Sequence, residues 1–371
     1  MTPMRFFGRS CSALLLAVSL MLGGAMSAQA QAQAQAEPAA ATAAPSAQPQ
    51  SPAQAQVERQ QSQPLNNAPV WREVRKDGQE HYTSVQGRET GVLIQSGGES
   101  WRQLRNGPIT FYGGLLIVLA AVVIGGFYLW RGTIRLHEPM TGRLIQRFTL
   151  VERCAHWSMA ISFCVLGISG LVMLFGKHIV LPLIGHTLFA WITALMKNLH
   201  NFIGPLFMLS IVLFVIIYIR HNFPSKGDLQ WILNAGGLIN GKHIPAGRFN
   251  AGEKGWFWVG VICLGTVMSV SGVVLLFPNF DQVRATMQLA NVVHGVAAAL
   301  FIAMSLAHIY IGTLGMVGAY QGMRTGYVDE SWLKEHHEYT YNEVMAAKGN
   351  MANTAHVANV ANVANAGTDK A

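Results

Sequence analysis

Charge is what this sequence has least of. Only 12% of its 371 residues are Asp, Glu, Lys or Arg, about half of the roughly 25% typical of soluble domains, while 51% are hydrophobic. That balance excludes an ordinary soluble globular protein and implies a membrane protein. Cysteine is also sparse. Cys11, Cys154, Cys164 and Cys263 form no C-x-x-C or other close pair, which excludes an iron–sulfur or zinc site on spacing grounds, and no C-x-x-C-H is present to attach a haem covalently. The net charge is +8, yet the basic residues gather at the ends of apolar runs, as cytoplasmic flanks do. No basic patch with interleaved aromatics stands apart from them, so nucleic acid is not an expected partner.

The first 30 residues have the layout of a cleavable secretory signal: Arg5 and Arg9, the apolar run SALLLAVSLMLGGAM, then Ala28-Gln29-Ala30 as a small-residue cleavage site. Residues from about 31 to 66 are Ala, Gln and Pro with almost no large apolar side chain, a composition that stays disordered because it cannot bury a core. The stretch up to 108, with Trp71 and Trp101, is too short for a core of its own and is expected to dock on the membrane domain or a partner. At the other end, residues 344–371, closing in MANTAHVANVANVANAGTDKA, are expected to form a disordered tail.

Five apolar runs reach the roughly 20 residues needed to span a bilayer, near 109–130, 154–176, 199–220, 256–277 and 287–318. Their connections differ in charge. The first carries Arg131, Arg135, Arg143, Arg147 and Arg153, and the third carries Arg220, Lys226, Lys242, Arg248 and Lys254. The second has only Lys177 and Lys197, and the fourth only Arg284. The positive-inside rule places the first and third in the cytoplasm of a bacterial inner-membrane protein. The mature N-terminus is then periplasmic, as a cleaved signal also requires, and the C-terminus cytoplasmic.

With this topology, the histidines sort by depth. His294 and His308 leave one face of the last apolar run, fourteen residues apart, which is within about 40° of whole helical turns and about 21 Å along the axis. His200 opens the third run near the periplasmic face, level with His294, and His156 opens the second near the cytoplasmic face, level with His308. An ionisable residue at membrane depth calls for a function and a named partner. Two facing imidazoles at each of two depths suit two b-type haems, each with both axial positions filled. Gly204, Gly295, Gly167 and Gly170 lie near these histidines and permit close approach of a flat macrocycle. His221, His243, His178, His186, His336 and His337 fall in polar loops, connections or tail and are read as solvated.

From about Gly142 to Glu343 the chain resembles the gamma subunit of formate dehydrogenase, a membrane cytochrome b. The matching pieces are RFTLVERCAHW, NLHNFIGP, IYIRHNFPSKGDLQWILN, RFNAGEKGWFW, VVHGVAAAL and LAHIYIGTLGMVGAYQGMRTGYVDESWLKEHH. The resemblance implies an all-α membrane fold, a four-helix cytochrome b bundle over 142–343, to which the run at 109–130 adds one N-terminal helix. It implies haem ligation by His156 with His308 and by His200 with His294. It also implies a quinone site beside the first of these pairs, built from Asn250, Ala251, Gly252, Glu253, Lys254, His308 and Tyr310. Glu253 stands where the family more often has glutamine. Independently of the resemblance, Asn250 also suits a helix N-cap.

The partners implied are an iron–sulfur (beta) subunit and a molybdenum or tungsten pterin catalytic (alpha) subunit, where formate oxidation would occur. This chain would be the electron-transfer subunit of a formate:quinone oxidoreductase in respiration. The oligomeric state of the complex stays open. Two rivals remain: a cytochrome b subunit of a nickel–iron hydrogenase, with the same architecture, and a haem-free transporter whose histidines relay protons.

Overall fold

The computed structural model describes residues 88, 89 and 97–350, except 240 and 279. The expected signal peptide, the Ala/Gln/Pro segment and the tail beyond 350 lie outside the described residues. Five helices are long and apolar enough to cross a membrane: α1 (Gly98–Arg131), α2 (Leu150–Ile179), α3 (Leu181–His221), α5 (Ala251–Leu276) and α6 (Arg284–Gly315). A backbone in hydrocarbon must satisfy its own polar groups, and a helix does this within one segment. The chain is therefore a multi-pass, helical membrane protein. A short α4 (Asp228–Leu233) lies between α3 and α5. After α6 come α7 (Ala319–Thr325), a strand, and α8 (Glu330–His336).

Helix starts follow local chemistry. Thr149 caps α2 in a capping box, its hydroxyl accepting from the Glu152 N–H while the Glu152 carboxylate accepts from the Thr149 N–H. Asn250 and Glu253 repeat the device at α5, the N-cap alternative that the sequence left open. Helix α3 begins at Leu181, well before the expected 199, directly after Val180. The string LPLIGHTLFAWITALMK mixes polar and apolar residues, so hydropathy reads it as a connection. It is helical, with a bend at Gly185, whose φ of 77° only glycine adopts without strain.

The core between α2, α3, α5 and α6 is aromatic, centred on Phe148, Phe207, Phe214, Tyr218, Phe257 and Phe301. Helix α1 docks on α6 through small residues. A Cβ on Gly113 would lie 3.3 Å from Ala299 Cβ, and one on Gly295 would lie 3.4 Å from Ile109 Cγ2. Close backbone approach through small side chains is the usual way apolar helices associate in lipid.

A polar cap closes one end of the bundle. Strands β1 (Leu144–Gln146) and β2 (Tyr327–Asp329) pair antiparallel, Ile145 opposite Val328. Ile145, Val328, Trp332 and Leu333 form a second core. Val344 and Met345 pack against it, and the chain stays helical to 350, so the expected start of the tail at 344 falls inside an ordered, apolar contact. Asp329 organises the cap: its carboxylate accepts from the N–H groups of Thr141 at 3.1 Å, Gly142 at 2.7 Å and Ser331 at 2.9 Å. Desolvation pushes its pKa up, but the hydrogen bonds from Thr141, Ser331 and Gly142 together outweigh this and hold it below the ordinary aspartate value.

Replacing Asp329 with Ala leaves those donors without their acceptor, an expected loss of about 1–3 kcal/mol from the cap. Faster tryptic cleavage after Arg324 and Lys334 in detergent-purified protein measures it. A depressed carboxylate pKa adds stability above its unfolded value that disappears as pH falls through the folded one. In a thermal melt the stability difference between the unaltered protein and Asp329→Ala should therefore close only at strongly acidic pH.

Candidate functional site

The four histidines selected by depth come together as two pairs. The rings of His156, in α2, and His308, in α6, have centroids 6.3 Å apart at an interplanar angle of 51°. Those of His200, in α3, and His294, in α6, are 6.1 Å apart at 69°. An imidazole nitrogen binds a transition metal at about 2.0–2.1 Å, and the ring centre lies about 1 Å behind it. Two rings on opposite sides of one metal therefore have centres about 6 Å apart. Both pairs fit a bis-imidazole haem.

The two levels are built differently. His308 stacks on Trp256, with centroids 4.9 Å apart and planes 11° from parallel. Trp256 opens a π-helical stretch of α5, Trp256–Leu264, an irregularity frequent at functional sites. Gly260 lies beneath its ring: a Cβ there would come within 2.6 Å of Trp256 Cε3. His156 meets Trp157 edge-on at 5.3 Å, and its buried Nδ1 has no hydrogen-bond partner among the described residues. At the other level, Ser169 Oγ lies 2.9 Å from His200 Nδ1, and Ser271 Oγ lies 2.9 Å from His294 Nδ1. Gly170 and Gly272 face the same two rings, each with its Cβ position 3.5 Å from the ring Cε1. Gly167 and Gly204 face open space.

A cavity of about 1210 Å³ runs from His156 and His308 toward the polar cap, lined also by Trp256, Arg147, Asn250, Gly252, Glu253, His336 and His337. Arg147 is buried, donates from Nη2 to Glu253 Oε1 at 2.9 Å, and stacks over the Phe148 and Trp332 rings. Its buried Nη1 has no partner among the described residues. Asn250, Gly252 and Glu253 thus face this cavity, whereas Lys254 and Tyr310 do not line it. Lys254 turns toward α4, its Nζ 2.8 Å from Asp228 Oδ2 and 2.6 Å from Ser225 Oγ. Tyr310 packs edge-on against Phe127 and Tyr128 of α1.

The residues 147–326 match the family model described as prokaryotic cytochrome b561. The chain is 30% identical over 209 residues to the formate dehydrogenase cytochrome b556(fdo) subunit of Escherichia coli, covering 54% of this chain and 93% of that one. The chain belongs to the formate dehydrogenase cytochrome b556 subunit family. It is 28% identical over 217 residues to the nitrate-inducible cytochrome b556(Fdn) subunit of Escherichia coli, covering 56% of this chain and 94% of that subunit. A third member, from Haemophilus influenzae, is 26% identical over 215 residues, covering 55% and 85%. Membership in this cytochrome b family implies haem and electron transport. Helix α1 precedes the stretch matched by the family model.

Ser169, Ser271, Gly272, Trp256 and Arg147 are absent from the sequence-based candidates. A signal for the first three exists: SGLVMLF at 169–175 recurs as SGVVLLF at 271–277. His336 and His337, read as solvated, line the cavity instead. His337 is 1% exposed, its Nδ1 2.7 Å from the Gly247 carbonyl oxygen. Burial, reinforced by Arg147, drives its pKa well below that of free histidine. Burial likewise lowers that of His336, against the pull of Glu335.

Both imidazoles are held neutral in the fold, so the unfolded chain binds more protons below pH ~6.5 and stability falls with pH there, by up to about 1.4 kcal/mol per unit per group. A melt of the purified protein should therefore shift down between about pH 6.5 and 5. The double variant His336→Gln/His337→Gln should flatten that dependence.

Proposed function

We propose that this chain is the diheme cytochrome b membrane subunit of a formate dehydrogenase complex, carrying electrons from a periplasmic iron–sulfur subunit across the membrane to quinone. The observation that supports it most is the pair of facing imidazoles at each of two levels, 6.1 and 6.3 Å between ring centroids. His156 with His308 and His200 with His294 would hold the two haems. Each haem b, when bound, supplies a one-electron Fe(III)/Fe(II) couple. The chain's own part is to fix the four imidazoles in depth, about 21 Å apart along α6, and to surround them with apolar side chains that exclude water.

The cytoplasmic side, in this reading, is the polar cap, and the mature N-terminus is periplasmic in the bacterial inner membrane. Quinone would enter the cavity of about 1210 Å³, larger than the roughly 300–1,000 Å³ of an ordinary small-molecule site. Asn250, Gly252 and Glu253 present its polar wall beside His308, and the buried Nη1 of Arg147 offers a donor to an anionic substituent. Reducing a quinone to a quinol takes two electrons and two protons, and the titratable wall of Glu253, His336 and His337 lies between the cavity and the cap. Inward electron movement with proton uptake from the cap side charges the membrane. An electron crossing 100 mV opposes about 2.3 kcal/mol, which demands a strongly reducing donor such as formate. The catalytic subunit with its molybdenum or tungsten pterin would supply those electrons through the iron–sulfur subunit.

A reduced-minus-oxidised spectrum of the purified chain should show b-type bands from two haems, one component lost in His200→Ala and the other in His308→Ala. Formate should reduce both when the chain co-purifies with its partners. Absence of any b-type spectrum would overturn the reading in favour of a haem-free transporter. Reduction by hydrogen in place of formate would reassign the donor to a hydrogenase.

A further inference from the structure

The repeated Ser-Gly strings lie on α2 and α5, helices that contribute no imidazole to the pair His200–His294. Each nonetheless sets a serine against one of those rings. Ser169 is fully buried and Ser271 nearly so. The Ser169 hydroxyl donates to the Leu166 carbonyl at 3.1 Å, and the Ser271 hydroxyl donates to the Val267 carbonyl at 2.6 Å. A hydroxyl has one proton. With that proton directed to the helix backbone, each oxygen faces its imidazole with a lone pair, and the geometry assigns Nδ1 of His200 and of His294 as the donor across 2.9 Å, toward a serine oxygen and, beside it, the backbone carbonyl of Leu166 or Met268. Each ring is thereby held in the tautomer whose Nε2 carries the lone pair, the form that can bind iron.

A hydrogen bond from the distal N–H raises the basicity of a ligating imidazole. A more basic ligand stabilises Fe(III) relative to Fe(II) and so lowers the reduction potential, through outer hydrogen bonding. The other pair differs, since Nδ1 of His156 is buried without such a partner among the described residues. We propose that Ser169 and Ser271 are positioning residues that fix the tautomer of His200 and His294 and make the haem held there the lower-potential of the two. This rests on the bis-histidine haem reading above. The step concerned is Fe(III) plus one electron giving Fe(II), the electron leaving a reduced iron–sulfur centre that becomes oxidised. No bond to iron is made or broken, and the Nδ1 proton stays in place. A lower potential at this level makes onward transfer toward His156 and His308 favourable.

The test is an anaerobic redox titration of the b-type absorbance in the full-length chain, purified with its partners. In the unaltered complex the lower-potential component should be the one lost in His200→Ala and kept in His308→Ala; the reverse assignment overturns the proposal. In Ser169→Ala and in Ser271→Ala that component should rise by about tenfold in reduction equilibrium, or about 59 mV for one electron. The higher component should not move, and Ser→Thr, which keeps the hydroxyl, should restore the unaltered value. If one Ala variant fails to retain haem, the other and the comparison of histidine variants still decide the matter. Two retained haems with unmoved potentials in the double Ala variant overturn the role of the serines and leave the haem reading intact. A chain without b-type haem overturns the reading itself.

Discussion

A ring nitrogen left without a partner in an apolar span is costly, because hydrocarbon offers no water to take its place. The helical packing of this molecule avoids that cost at the level of His200 and His294: one nitrogen of each ring is directed to a buried serine on a neighbouring helix. Glycine beside each serine admits the ring against the helix surface. At the level of His308 the device is a different one, a tryptophan stacked flat on the ring and carried by a π-helical stretch. Four helices are therefore committed at one level of the membrane, two carrying imidazoles and two orienting them. That accounts for Ser169 and Ser271 in predominantly apolar runs.

Much of this was legible in residue order, because the signals are coarse and physical. Apolar runs of spanning length mark the five helices, and the position of each histidine along its run sorts the four by depth. What stayed hidden depends on contacts between segments distant in sequence. Ser169 and Ser271 look like ordinary small packing residues until α3 and α6 are set beside them. His336 and His337 sit in the charged string LKEHHEY, which reads as solvated. They become interior where that string meets the segment before α5, the His337 ring reaching the Gly247 carbonyl and the Tyr339 N–H the Ala246 carbonyl. Lys254 shows the converse: its place at a helix start beside the cavity suggests a site, but Asp228 and Ser225, nearly thirty residues earlier, draw its ammonium away. The early start of α3 is hidden in the sequence because Lys197 and His186 dilute its hydropathy.

Helix α1 stands apart from this logic. It precedes the stretch matched by the family model, carries no histidine, and presents large apolar side chains such as Leu129 and Phe111 outward. Its inner face is small, with Gly113 against Ala299 and Ile109 against Gly295, next to His294 in the chain. The added helix therefore covers the flank of α6 beside His294.

The short strand pair Leu144–Gln146 with Tyr327–Asp329 has a consequence larger than its size. It joins the segment leading into α2 to the segment leaving α6 and α7, so the bundle is a loop whose two ends are clasped outside the lipid. His156 and His308 lie just inside that clasp. The strand pair thus ties the entry of the helix that carries His156 to the exit of the helix that carries His308. A one-residue slip in the ladder would turn Ile145 and Val328 outward and carry the start of α2 with it.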